Sequence, residues 1–113
     1  ADAPSTAETD WIQIVEWYDE LLLLTDSPIV RLNRAVAVGE ADGPRAGLAA
    51  LADLDPELPR HTASRAYLLE RAGDLEQAAT LYTEASHAAT TVPERDHLTR
   101  EAARVRQSHQ GSR

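Results

Sequence analysis

Residues 27–48 read SPIVRLNRAVAVGEADGPRAGL, from Ser27 to Leu48, and this run decides the fold class. The Ser27 hydroxyl can accept a free amide of a first helical turn, and Pro28, which lacks an N–H and is fixed in φ, suits the first helical position. A helix therefore starts there. Gly43 can take the left-handed conformation that ends a helix, Asp42 can cap the next one, and Pro44 can begin it after a turn of a few residues. The run predicts two antiparallel helices and contains no catalytic motif.

Working outward, the same signals recur. Thr9 or Asp10 can cap a helix over residues 10–24, where ten of the fourteen residues of WIQIVEWYDELLLL are apolar. At about 3.6 residues per turn, Trp11, Val15, Tyr18 and Leu22 form one stripe and Ile14, Trp17, Leu21 and Leu24 a second beside it. Together they predict an inward half-circumference. Ile12 and Leu23 fall on the opposite face among Gln13, Glu16, Asp19 and Glu20, where this chain by itself leaves them in water. The second and third helices are expected over 28–41 and 44–54, after which DPELPR breaks the pattern. A fourth is expected over 61–72, ended by Gly73; a fifth over 75–89, capped by Asp74; and a sixth over 93–107, opened by Pro93. Short connections make the second and third, and the fourth and fifth, into hairpins. Residues 1–8 are expected to be a disordered lead or linker, 9–108 the helical domain and 109–113 a frayed tail, with fraying beginning at Ser108.

Composition points the same way. The 113 residues suit one domain with a modest core, and the apolar content is mainly Ala, Leu and Val with no Phe, Met or Cys. Sheet alternation is missing, so the fold class is all-α. Small apolar side chains suit closely approaching helices better than a prosthetic-group pocket, so no cofactor is expected. Without cysteine there is neither a disulfide framework nor a thiol nucleophile. No apolar run reaches the roughly eighteen residues of a membrane span, and the N-terminus lacks a signal-peptide pattern, which leads to a cytoplasmic expectation with no membrane partner. The chain begins at Ala1 and has no methionine, as a piece of a longer polypeptide would. Its net charge of −8, with every basic residue an arginine, argues against direct nucleic-acid binding. Arg95, Arg100, Arg104 and Arg106 are interleaved with Glu94, Asp96 and Glu101 and read as a solvated helix face.

The chemistry-bearing residues give no catalytic constellation. His97 and Glu101 are four apart on one helix, yet further ligands at metal-binding spacing are lacking. Asp53, Asp55 and Glu57 are interrupted by Pro56 and have no glycine for a calcium loop. No Ser–His–Asp arrangement or glycine-rich phosphate cradle is readable, so an enzyme is not expected. Asn33 and Arg34 stand on the flank of the second helix, outside an inward set of Leu32, Ala35, Val36 and Gly39. They are candidates for a groove contact, although Arg34 can instead pair with Glu16, Asp19 or Asp42. Large rings at helical spacing favour a core role for Trp11, Trp17 and Tyr18, with Trp17 at the stripe edge. The candidate protein-contact residues are thus Ile12, Trp17, Leu23, Asn33 and Arg34.

Residues 66–85, AYLLERAGDLEQAATLYTEA, place Gly73, Ala78, Tyr82 and Ala85 at the spacing of a tetratricopeptide repeat. Gly73 makes the turn, the alanines allow close crossing, and Tyr82 fills the space between successive pairs. Gly39 stands thirty-four residues before Gly73, with Leu48 where Tyr82 stands. The expected architecture is a stack of antiparallel helical hairpins, tetratricopeptide-like, with about six helices.

Taken in order, DWIQIVEWYDELLLLTDSP, VRLNRAVAVGEADGPRAGLAAL, LPRHTASRAYLLERAGD and PERDHLTREAAR resemble one family over about Asp10 to Arg104. It is the C-terminal tetratricopeptide-like extension of bacterial extracytoplasmic-function (ECF) RNA polymerase sigma factors. Its most specific pieces here are LNRAVAVGEADGP and the set Asp10, Trp11, Tyr18 and Asp19. Many relatives have a more aromatic or histidine-rich start to the fourth helix, where this chain has Arg60, His61, Thr62 and Ser64. The resemblance implies a non-catalytic regulatory domain that modulates transcription initiation in cis, contacting its own sigma-factor N-terminal domains or RNA polymerase. Surplus apolar surface on the first helix would also permit a homodimer of the isolated fragment. The alternative is a free-standing tetratricopeptide adaptor that binds a peptide or partner protein.

Overall fold

The computed structural model describes residues 10–111, so the expected lead over 1–8 lies outside the described residues. Six helices follow one another: α1 (Trp11–Leu24), α2 (Pro28–Asp42), α3 (Pro44–Ala52), α4 (His61–Arg71), α5 (Leu75–Ala88) and α6 (Val92–Gly111). The described residues contain no strand. Each helix packs mainly on its neighbours in sequence, with α2 also meeting α4. The all-α stack of hairpins is therefore the fold.

Local chemistry sets the boundaries. Asp10 accepts the Gln13 amide at 3.0 Å, Ser27 that of Val30 at 3.3 Å and Asp74 that of Gln77 at 3.4 Å. Thr91 does the same for Glu94 at 3.3 Å, so α6 starts one residue before Pro93. Gly73, at φ 90°, makes the left-handed turn between α4 and α5. Two details differ from the sequence expectation. Asp42 is the last residue of α2 and caps nothing; Gly43 joins α2 to α3 through its backbone, without a side-chain cap. At the other end, α6 extends past the expected end at residue 107 to Gly111, because nothing in RQSHQ stops a helix, while residues 112 and 113 of the expected tail lie outside the described residues.

The described residues form a slab, 39 × 38 × 25 Å. Its core has two parts that meet at α4. Leu32, Ala35, Leu51 and Leu68 fill the α2–α3–α4 side, whereas Ala66, Leu69, Ala78, Tyr82, Leu98 and Val105 belong to the α4–α5–α6 side. Leu68 and Leu69, adjacent on α4, thus point into different halves. Close approach of α2 and α3 depends on Gly47: a Cβ there would lie 2.7 Å from the Gly39 Cα and 2.9 Å from the Ala35 carbonyl oxygen. The thirty-four-residue spacing consequently aligns glycines of different kinds, Gly39 in a helix crossing and Gly73 in a turn.

Two largely covered acidic side chains tie helices together. Glu40 on α2 accepts the Tyr67 hydroxyl and pairs with Arg71 at 3.1 Å, tying α2 to α4. Glu70 on α4 takes both terminal nitrogens of Arg104 on α6, at 2.7 and 2.9 Å, and accepts the Tyr82 hydroxyl of α5 at 3.2 Å. Arg104 also reaches Glu101 at 2.6 Å.

Candidate functional site

α1 differs from every other helix of the hairpins. Its substantial neighbour is α2, and none of its residues is buried. Trp11, Ile14, Val15, Tyr18 and Leu22 are half covered, and Arg34 of α2 fastens the helix through Asp19 at 2.6 Å. The rest of its apolar surface faces outward: Ile12 is 63% exposed, Trp17 59%, Leu21 40%, and Leu23 and Leu24 86% each. This corrects the second inward stripe, of which only Ile14 is partly covered. A core role for Trp17 is corrected with it, since one packed neighbour covers only one side of a helix.

Beside α1 lies an open groove of about 1170 Å³. Trp11, Ile14 and Tyr18 of α1, Asn33 and Val36 of α2, Tyr67 of α4 and Glu94, His97 and Glu101 of α6 line it. The 56–60 loop lines it as well. It finishes at Arg60, whose φ of 72° is the only positive value at a non-glycine residue among those described, a conformation costing about 1 kcal/mol. Burial first, then the hydrogen bond to the Glu40 carboxylate, raises the pKa of the Tyr67 hydroxyl above its ordinary value. Burial first, then the Glu70 charge, does the same for Tyr82.

The five residues singled out from sequence do not form one site. Ile12 and Leu23 share a face of α1, three turns apart, and Trp17 lies on another flank of that helix. Asn33 is exposed in the groove. Arg34 is engaged with Asp19 and serves the α1–α2 joint, the pairing that competed with a groove role. Sequence reasoning missed Tyr67 as a groove residue and the Glu40 and Glu70 junctions, whose partners on other helices lie 12 to 34 residues away and leave no local signal. No group of three or more His, Asp or Glu among the described residues is arranged to hold a metal ion. No helix among them is long and apolar enough to cross a membrane.

No family model matches the chain, and no solved structure matches it. It is similar to an uncharacterized protein of Rhizobium meliloti (strain 1021), 37% identical over 115 residues. That match takes in 93% of this chain and 27% of the relative, so the chain spans about a quarter of the length of the curated protein it matches.

Proposed function

We propose that this chain is a non-catalytic regulatory module of an ECF sigma factor, with tetratricopeptide-like hairpins, acting in cis by contacts with the sigma core or RNA polymerase. The observation that carries the proposal is α1: a helix of fourteen residues, ten of them apolar, with none buried. A surface helix that rich in Leu and Trp loses free energy to water unless something covers it, at about 25 cal/mol for each Å² left wet. Covering it from a neighbouring domain shifts the balance between free and docked arrangements, which is how a module without chemistry regulates. The match to a quarter of a longer protein agrees with a segment that works as one part of a polypeptide. The motif LNRAVAVGEADGP and the set Asp10, Trp11, Tyr18 and Asp19 supply the resemblance to sigma-factor extensions.

The test is transcription from the promoters that depend on the parent factor. Deletion of the module, or Ile12→Glu with Leu23→Glu, changes promoter output while the helical content of the purified chain stays the same. Unaltered output from both variants refutes the reading.

One observation favours a second reading, a free-standing adaptor: the groove is lined by the rings of Trp11, Tyr18 and Tyr67, on which a peptide segment can pack. The gene upstream discriminates. Two sigma-type domains encoded in the same frame support the first reading; a start codon next to Ala1 supports the second.

A further inference from the structure

The charges of α1 say what kind of surface covers it. The helix carries Glu16, Asp19 and Glu20 and no basic residue. Asp19 is spent on Arg34, and Asp26, just beyond the helix, on Arg31 at 2.7 Å. Glu16 and Glu20 make no hydrogen bond or ion pair among the described residues, and both are exposed. They stand four apart, one turn above the other, where like charges repel. Glu20 also lies toward the negative end of the helix dipole, and the last turn of α1 has no basic residue to offset it. To one side of this acidic row runs the strip Trp17, Leu21 and Leu24, at i, i+4 and i+7; to the other lie Ile12 and Leu23. All five apolar side chains are exposed.

We infer that the outer face of α1 is the docking surface for a basic amphipathic helix, whose apolar stripe covers Trp17, Leu21 and Leu24 while its Lys or Arg residues lie over Glu16 and Glu20. The arrangement is that of a helix pair with an apolar seam and flanking opposite charges. Other occupants fit the charge poorly. A second copy packed antiparallel about a two-fold axis would set acidic rows against each other, and any second copy brings a further net charge of −8. An anionic membrane or a nucleic acid needs cations that α1 lacks. The inference rests on the reading of α1 as a protein-contact helix and supplies the chemistry of its partner.

The test titrates the full chain with a labelled synthetic helix of about five turns, bearing a Leu stripe flanked by Lys, and with its counterpart carrying Glu for each Lys. The Lys helix binds, more weakly as salt rises, and the Glu helix binds roughly tenfold more weakly or not at all. Glu16→Lys with Glu20→Lys inverts that preference. Leu21→Ser with Leu24→Ser removes binding of both helices, and circular dichroism checks that each variant keeps its fold. Equal binding of the two helices, or a preference untouched by the charge swap, overturns the inference. So does a concentration-dependent dimer abolished by the Leu21 and Leu24 substitutions, or binding to phosphatidylglycerol vesicles. Failure of the sigma-factor reading appears in promoter output and leaves these titrations as they are.

Discussion

α1 and α5 are both fourteen residues long, yet their relation to the core is opposite. α5, LEQAATLYTEASHA, is the less apolar of the two and buries Ala78, Ala79, Leu81, Tyr82, Ala85 and Ser86 between α4 and α6. α1, WIQIVEWYDELLLL, has the larger side chains and buries none. Hydrophobic content therefore does not predict burial here: α6, which like α1 packs mainly on one neighbour, buries Leu98, Ala102 and Val105, while the more apolar α1 buries nothing. A helix held between two others needs small residues where backbones approach, and its apolar area is used in full. A helix at the end of a stack meets one neighbour, and on α1 the apolar surface beyond the covered stripe stays exposed.

Substitutions at the two ends of this scale measure the contrast. Leu68 is fully buried where the two halves of the core join, and Leu68→Ala should cost about 3 kcal/mol of unfolding free energy in urea. A loss under about 1 kcal/mol would mean that α4 is not the shared core element described here. Gly47→Ala comes next, at about 2 kcal/mol, because its new methyl group meets the backbone of α2, which cannot rotate away as a side chain can. Gly39→Ala behaves differently. Its methyl meets the Leu68 Cδ2, a flexible end, so Gly39→Ala should cost less in the Leu68→Ala background than alone, with a coupling of about 1 kcal/mol.

Much of this architecture is legible in the chain because the boundaries are set by short-range chemistry. Ser27 with Pro28, Asp74 and Gly73 act within a turn of themselves, and the structure uses each as the residues predict. The exposed face of Ile12 and Leu23 is legible for the same reason, since helical spacing alone puts them among acids. Spacing does not reveal how many neighbours a helix has. Trp17, Leu21 and Leu24 line up with Ile14 on paper, but the stripe they form faces no helix. The crossing of Gly39 with Gly47 and the Glu40 and Glu70 junctions are tertiary facts between distant residues, and no periodicity encodes them.

Acid should weaken the α4–α6 end specifically. The hydrogen bonds from Arg104 hold the Glu70 carboxyl below its ordinary pKa of 4.5, outweighing the upward push of burial. A depressed carboxylate contributes stability in full above its unfolded pKa and loses it as pH falls through the native value. Urea midpoints should thus drop more steeply for the wild-type chain than for Glu70→Gln between about pH 5 and pH 3. Parallel acid limbs would show that the Arg104 pair adds nothing. Glu70 is partly exposed, so the difference is a modest one.

The smallest stability effect belongs to α1, and it is the most diagnostic. Leu24 is 86% exposed and packs on no core residue, so Leu24→Ala should change unfolding free energy by less than about 0.5 kcal/mol. The joint beneath it is also weak: Arg34→Ala removes a solvent-screened pair with Asp19 and should cost under about 1 kcal/mol. Its visible consequence is local. Amide exchange along α1 should quicken while that of α4 and α5 is unchanged, because α2 is the substantial neighbour of α1. Equal acceleration in all three helices would mean that α1 unfolds together with the core, and its apolar face would then be part of the cooperative fold instead of an independent exposed surface.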